Sequence, residues 1–210
     1  MSKAIFLGSF NPPHIGHLNC IKSVANSDII KQLNIDAIHI IPCYQNPNKS
    51  KSTEYLDRYK MCTLEFAHLN IESNVDIFVD DIEGEIKSTY TYELIDYLHS
   101  GKDNFIDDDF WWIITEETYE ELLRNNWKES VKLLDENKFI IIHYESQPGW
   151  LHRNYAKAVK EQRIVYIELN NENVNIHSTN IREMIKNNEN VDSYINLGTC
   201  TYINEHNLYR

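Results

Sequence analysis

Short apolar runs alternate with amphipathic stretches of helical length along most of this chain, and this alternation predicts an α/β fold. Strands that alternate with helices form βαβ units, whose strands are parallel. A loop with glycine, proline and histidine directly follows the first apolar run, and such sheets bind ligands beyond the carboxyl ends of their strands. We therefore expect a Rossmann-like, doubly wound and mostly parallel sheet, with helices on both faces and a small helical C-terminal part.

The first half of the chain predicts three strands, at residues 4–7, 37–41 and 75–79. Helical sequence occupies about residues 13–26, 29–33 and 54–69. The first helix has one apolar face, made by Leu18, Ile21, Val24 and Ala25. The expected inward positions of the third helix are Leu56, Tyr59, Leu64 and Ala67.

The second half predicts strands at residues 110–114, 139–143 and 164–169, with Trp111 and Trp112 in the core. Helical sequence covers residues 90–99, 116–134 with a break near 125–127, and 151–161, and it resumes at about residue 181. We expect one domain over residues 1–210, with a helical C-terminal subregion from about residue 176.

Composition excludes several classes of protein. The formal net charge is −12 over 210 residues, which argues against nucleic-acid binding because such proteins carry a basic surface. We see no signal peptide and no apolar run of membrane-spanning length. The four cysteines form no CxxC pair and are expected to be reduced thiols, which favours a cytoplasmic protein. The oligomeric state is left open, with a homo-oligomer among the alternatives.

The segment from Gly8 to His17, Gly-Ser-Phe-Asn-Pro-Pro-His-Ile-Gly-His, lies between a predicted strand and a predicted helix. Two imidazoles three residues apart share one face of a first helical turn. Gly16 between them allows close approach to the backbone. Because a helix N-terminus favours anions, this segment predicts a polyphosphate site. The alternatives are two solvent-facing histidines, or a zinc trio with Cys20, for which no fourth ligand is evident.

A second segment with matching chemistry lies near residue 180. Asn180 and Glu183 have the spacing of a capping box, which predicts a helix that begins at Asn180. Ser178 and Thr179 would then precede the helix, and Arg182 would project from its first turn and suit bidentate phosphate contacts. The alternative is an ordinary helix cap with a surface arginine. Together, the two segments could hold a triphosphate from two sides.

These residues resemble the marks of the nucleotidylyltransferase superfamily, which are His-x-Gly-His and a late Ser-Thr-x-x-Arg segment. Within it, the chain most resembles bacterial-type nicotinate/nicotinamide mononucleotide adenylyltransferases, which begin Gly-(Ser/Thr)-Phe-Asn-Pro-Pro-His-x-Gly-His. Residues 202–210, Tyr-Ile-Asn-Glu-His-Asn-Leu-Tyr-Arg, are similar to the family's ending. Further similar segments lie at residues 47–49, 58, 88–91 and 127–128, so the resemblance covers nearly the whole chain.

The resemblance implies transfer of AMP from ATP to nicotinamide mononucleotide or nicotinate mononucleotide, with release of pyrophosphate and with Mg²⁺ carried by the ATP phosphates. It implies an ATP site made of Gly8, Ser9, Phe10, Asn11, His14, Gly16, His17, Ser178, Thr179 and Arg182. It implies a mononucleotide site made of Lys49, Tyr90, Thr91, Glu117 and Trp127. The residues expected to act in catalysis are His14, His17, Lys49 and Arg182.

The chain departs from the family pattern in the mononucleotide half of the site. Thr115-Glu116-Glu117 stands where the family usually has Gly-x-Asp, and Glu117 is the expected replacement for an aspartate that binds ribose hydroxyl groups. His177 replaces a usual serine, and Gln147 replaces an arginine. From sequence alone, Lys49 could be a solvated loop lysine, and Tyr90 and Trp127 could be packing residues.

Two other functions stay open at this point. One is a sibling transferase with a different phosphate acceptor, such as phosphopantetheine or a sugar or alcohol phosphate. The other is a non-catalytic nucleotide-binding regulator on the same fold, because fold does not fix function.

Overall fold

The computed structural model describes residues 2–47, 52–67, 69–101, 109–144, 163–169 and 176–210. In these ranges six strands form one parallel sheet in the order β3-β2-β1-β4-β5-β6. Their bounds are β1 Ser2–Gly8, β2 Ile35–Pro42, β3 Asp76–Val79, β4 Asp109–Thr115, β5 Lys138–Tyr144 and β6 Ile164–Leu169. The predicted doubly wound α/β fold is confirmed.

Helices cover both faces of the sheet. Their bounds are α1 Ile15–Ala25, α2 Ile29–Gln32, α3 Tyr55–Phe66, α4 Ile82–Ile86, α5 Thr91–His99, α6 Glu116–Leu123, α7 Ser130–Glu136, α8 Ser178–Lys186 and α9 Leu197–Glu205. One apolar core lies between the sheet and α1 to α3, and a second lies between the sheet and α4 to α7. Trp111 belongs to the first core and Trp112 to the second, because successive side chains of a strand point to opposite faces.

The sheet opens between its two central strands at their carboxyl ends. Strands β1 and β4 are paired only as far as Ile5 and Trp112. Beyond that point β1 stays paired with β2 as far as Gly8, and β4 stays paired with β5 as far as Thr115. Strand order reverses at this same place, so the crevice is the topological switch point at which doubly wound sheets bind ligands.

A third, smaller core joins the C-terminal helices to α3. It contains Met61 of α3, Ile181 and Ile185 of α8, and Cys200 and Ile203 of α9. The backbone N–H of Ile15 also donates to the carbonyl of Tyr194 at 2.7 Å. The C-terminal helices are therefore fixed against the first turn of α1, next to the crevice.

The predicted inward face of α3 is wrong. Leu56 is 71% exposed, whereas Arg58 and Glu65 are buried. Both polar side chains hold neighbouring segments: Glu65 accepts hydrogen bonds from the backbone N–H of Asn196 and from the hydroxyl of Thr199. An apolar pattern cannot locate a face whose buried positions include charged side chains with partners.

Two other differences between prediction and structure concern whole helices. Helix α4 was not predicted, and the helix predicted at residues 151–161 lies outside the described residues. No helix in the described ranges has the length and apolar character needed to cross a membrane.

Candidate functional site

The loop after β1 is shaped by Phe10. This residue has a positive φ of 46°, and its ring is 1% exposed, packed edge-on against Phe66 and against the imidazole of His17. A Cβ at Gly8 would lie 2.8 Å from the Phe10 ring, so a larger residue there would displace the ring. The ring of Phe10, predicted to contact ATP, lies in the core. Phe10 therefore faces a ligand only through its backbone.

His14 and His17 form a reciprocal cap at the start of α1. Nδ1 of His14 accepts a hydrogen bond from the backbone N–H of Gly16, and Nδ1 of His17 accepts one from the backbone N–H of His14. The two ring centroids lie 3.8 Å apart. A neutral imidazole whose Nδ1 accepts carries its proton on Nε2. Each neutral ring therefore has Nε2–H as a donor suited to a phosphate oxygen.

This cap corrects two expectations about α1. The helix begins at Ile15 rather than at residue 13, because His14 is extended (φ −160°, ψ 171°) and serves as the N-cap. The N–H groups of the first turn are not open donors: Ile15 donates to Tyr194, and Gly16 and His17 donate to atoms of His14. An anion at this helix therefore meets imidazole groups rather than a row of backbone N–H groups.

Burial keeps His14 neutral. The side chain is buried, and this desolvation, together with the nearby imidazole of His177, lowers the pKa of His14 from 6.5 to about 3. Without a ligand, His14 is therefore an uncharged hydrogen-bond donor at neutral pH.

Residues 178–182 contact the loop after β1. The hydroxyl of Ser178 donates to the carbonyl of Pro12 at 2.9 Å, and Nη1 of Arg182 donates to the carbonyl of Asn11 at 2.7 Å. Nη2 of Arg182 donates to the hydroxyl of Thr179. The two segments that the sequence predicted as halves of one anion site are brought together.

The predicted start of the late helix is wrong by two residues. Helix α8 begins at Ser178, and its N-cap is His177, whose backbone N–H donates to Oδ1 of Asn180 at 3.3 Å. Asn180 is therefore the third residue of the helix and caps it from inside. Ser178 and Thr179 consequently lie within the first turn, and Arg182 projects from the second.

An open cavity of about 460 Å³ adjoins the contact between the loop and α8. Its lining residues are Asn11, Ser52, Thr53, Thr179, Arg182, Glu183, Lys186 and Tyr209. The hydroxyl of Tyr209 donates to Oδ1 of Asn11 at 2.8 Å, so the C-terminal residues form part of this wall. The volume is within the range of about 300–1,000 Å³ that is usual for small-molecule sites.

Arg58 and Glu83 hold the loops that follow β1 and β2, and no site role was predicted for either residue. The guanidinium of Arg58 is buried and donates to the carbonyls of Ser9, Tyr44 and Thr53. Glu83 accepts from the backbone N–H of Tyr44 at 2.6 Å, and burial raises its pKa to about 7. Both residues therefore position the loops that follow β1 and β2.

The residues expected to bind the pyridine ring lie at the start of α5 and in the turn between α6 and α7. Tyr90 is the N-cap of α5 and Thr91 is its first residue. Trp127 lies between α6 and α7, where its indole N–H donates to Glu121 at 2.9 Å. Nζ of Lys128 lies 4.4 Å from the ring centroid of Tyr90, which brings the two predicted segments together.

The segment that replaces Gly-x-Asp places its two acids differently. Glu117 is exposed on the first turn of α6. Glu116 is 6% exposed, and its Oε2 lies 2.5 Å from Nδ1 of His143 on β5. The sequence interpretation considered Glu117 alone. Neither Glu116 nor His143 was predicted as a site residue, because the two residues are distant in sequence.

Two further predictions concern Lys49 and a metal ion. Lys49 falls at residues 48–51, outside the described part of the chain. Within the described part, no group of three or more His, Cys, Asp or Glu side chains could hold a metal ion.

Comparison with known proteins places the chain in a family. A family model described as cytidylyltransferase-like matches residues 5–184. A Fusobacterium nucleatum protein described as a probable nicotinate-nucleotide adenylyltransferase is 32% identical over 200 residues, with 93% of each chain covered. The chain belongs to the nicotinate-nucleotide adenylyltransferase family. A Borrelia turicatae protein with the same description is 27% identical over 213 residues, covering 100% of this chain and 98% of its own.

Solved structures agree with the fold. Plasmodium falciparum nicotinic acid mononucleotide adenylyltransferase, complexed with APC and with NaAD, matches with TM-scores of 0.73 and 0.75 at 23% identity. The matches cover 99% of this chain and 96% and 97% of the others. The resemblance predicted from the motifs is confirmed, and so is the prediction of a nucleotidyltransferase.

Proposed function

We propose that this chain transfers the adenylyl group of ATP to the 5′-phosphate of nicotinate mononucleotide. An oxygen of the mononucleotide phosphate forms a bond to the α-phosphorus of ATP, the bond from that phosphorus to the β-phosphate bridge breaks, and pyrophosphate leaves. The observation that carries the proposal is the contact of Arg182 and Ser178 with the loop at Asn11 and Pro12, which assembles one anion site from two distant segments.

The ATP side is assigned to the residues of that assembly. His14 and His17 donate from Nε2 to the phosphates, with His17 nearest the charge that develops at the α-phosphate. Ser178, Thr179 and Arg182 hold the β- and γ-phosphates and stabilise the departing pyrophosphate. Gly8, Ser9, Asn11 and Gly16 shape the loop around them, with Phe10 as its buried anchor. Phosphoryl transfer needs such positioning and charge stabilisation more than covalent help.

The acceptor side is assigned to Tyr90, Thr91 and Trp127 around the pyridine ring, to Glu117 at a ribose, and to Lys49 at the acceptor phosphate. The ammonium group of Lys128 beside Tyr90 favours a carboxylate substituent over an amide. Nicotinate mononucleotide is therefore the expected acceptor, and nicotinamide mononucleotide the comparison.

The substrate is the Mg²⁺ complex of ATP, in which the ion is held by phosphate oxygens, as Mg²⁺ commonly is in proteins. We further propose that the whole chain works as one domain in the cytoplasm. The four cysteines Cys20, Cys43, Cys62 and Cys200 are free thiols, which fits a reducing compartment.

The test is an assay of purified protein with ATP, Mg²⁺ and either mononucleotide, in which pyrophosphate and dinucleotide are both measured. Equal amounts of the two products, formed only with a mononucleotide present, are expected. His17→Ala should lower turnover by about two orders of magnitude or more while the far-ultraviolet circular dichroism spectrum is retained. Tight ATP binding without product from either acceptor would contradict the proposal and favour a regulator.

A further inference from the structure

A partly buried acid–imidazole pair, Glu116 and His143, lies where β4 and β5 end. Thr115 and Ile142 are the last register pair of β4 and β5, and Glu116 and His143 are the residues that follow them. Both therefore lie at the carboxyl edge of the sheet, on the β4 side of the switch point. The loop from Gly8 to His17 lies on the β1 side.

The pair differs from a surface ion pair. The carboxylate of Glu116 is 8% exposed and the imidazole of His143 is 21% exposed, whereas the side chains of the Lys132–Asp96 pair are 38% and 54% exposed. Taking charged groups out of water has a free-energy cost that their attraction often fails to offset. Stability alone is therefore a weak reason for this arrangement.

The hydrogen bond to Glu116 leaves Nε2 of His143 available to a ligand. Nδ1–H of His143 donates to Glu116, which fixes the ring and leaves Nε2 of the neutral imidazole as an acceptor. In the described ranges no hydrogen-bond partner is found for Nε2. Among the described residues, Tyr166 interacts with Tyr119 and with Glu116, and Glu168 is the register partner of His143 on β6.

A hydroxyl group suits Nε2 of His143 in either charge state, because a hydroxyl both donates and accepts. The ribose hydroxyl groups of a nucleotide both donate and accept, whereas the amino group of adenine only donates. We propose that His143, oriented by Glu116, binds a ribose hydroxyl group of a bound nucleotide. The proposal rests on the proposed function for the identity of the ligand. Glu116 is in this view a positioning residue.

The test compares ATP with 2′-deoxyATP and 3′-deoxyATP as substrates of wild type and variants, and also measures KM for the mononucleotide. If the ribose is that of ATP, His143→Ala should reduce the wild-type preference for ATP by about 5- to 10-fold, the usual value of one hydrogen bond. If the ribose is that of the mononucleotide, its KM should rise by about the same factor with little change in kcat.

Glu116→Ala should change the same quantity as His143→Ala and in the same direction. Glu116→Gln should keep most of the wild-type behaviour, because an amide oxygen still accepts from Nδ1–H. His143→Asn replaces His143→Ala if the alanine variant does not fold. His39→Ala is the matched control, since His39 forms a similar pair with Asp80 at 2.7 Å beside the outer strand β3. This variant should leave the preference for ATP over the two deoxyATPs and the KM for the mononucleotide unchanged.

Unchanged preference and KM values in folded His143 variants would overturn the proposal, as would a change produced by Glu117→Ala but not by His143→Ala. Inactive wild-type protein would instead contradict the proposed function. The binding affinities of ATP and the two deoxyATPs for wild type and His143→Ala would then decide the proposal for His143.

Discussion

Nη1 of Arg182 lies 2.7 Å from the backbone carbonyl oxygen of Asn11, although 171 positions separate the two residues in sequence. This hydrogen bond joins the second turn of α8 to the loop after β1. In the folded chain, α8 is held beside this loop by the core that the C-terminal helices share with α3. The site is therefore a product of the whole fold rather than of one local motif.

Arg182 should matter to catalysis more than to folding. Arg182→Ala removes a partly exposed guanidinium that we assign to the leaving pyrophosphate, and kcat should fall by about 10²- to 10³-fold. Arg182→Lys keeps the charge but loses the planar set of donors, and should recover only part of the loss. Arg124→Ala, at an exposed arginine of the α6–α7 turn, is the control. A kcat near that of wild type in Arg182→Ala would contradict the assignment.

Arg58 should matter to folding. Arg58→Met leaves three loop carbonyls without their donor and Glu83 without its nearby cation, so the free energy of unfolding should fall by about 3–5 kcal/mol. Urea unfolding measures this change. Arg124→Met, in which only an exposed pair with Glu120 is lost, should change the free energy by less than about 1 kcal/mol. Similar values for the two variants would show that the loops do not depend on Arg58.

Gly8→Ala should impair activity by moving the ring of Phe10. The new Cβ would displace the buried ring of Phe10, which packs on His17 with ring centroids 5.0 Å apart. Small misplacements of binding groups can cost about 10²-fold, so kcat/KM should fall strongly. Gly198→Ala, in α9, is the matched control and should leave kcat/KM unchanged. Wild-type kinetics in Gly8→Ala would contradict the packing role of Phe10.

The depressed pKa of His14 predicts a pH dependence of stability. The unfolded chain binds a proton at this residue below its ordinary pKa of 6.5, whereas the folded chain does so only near pH 3. The contribution to stability is therefore complete above pH 6.5 and is lost as pH falls toward 3. His14→Asn, which keeps a good N-cap, should remove a slope of up to about 1.4 kcal/mol per pH unit from the free energy of unfolding. Parallel curves for the two proteins would contradict the neutral, buried state of His14.

Sequence patterns predicted the strands well because apolar runs such as residues 139–142 are buried on both faces of a parallel sheet. They located the two segments that meet at the loop after β1 because each segment is contiguous. They failed where a buried polar group replaces an apolar one: Arg58 and Glu65 lie on the inward face of α3, so the apolar positions pointed to the wrong face.

The sequence patterns also predicted the wrong starting residues for α1 and α8, for a related reason. His14 and His177 act as N-caps, a position where serine, threonine, asparagine or aspartate is expected. The pair of Glu116 and His143 could not be found from sequence, because only the register of β4 and β5 places those residues side by side.

The most direct test of the central claim is the fate of a label on the α-phosphate of ATP. With nicotinate mononucleotide and Mg²⁺, the label should appear in the dinucleotide and none in pyrophosphate, and the transfer should be lost in His17→Ala and Arg182→Ala. Label found in pyrophosphate or only in free AMP, or transfer that both variants retain, would contradict adenylyl transfer by this site.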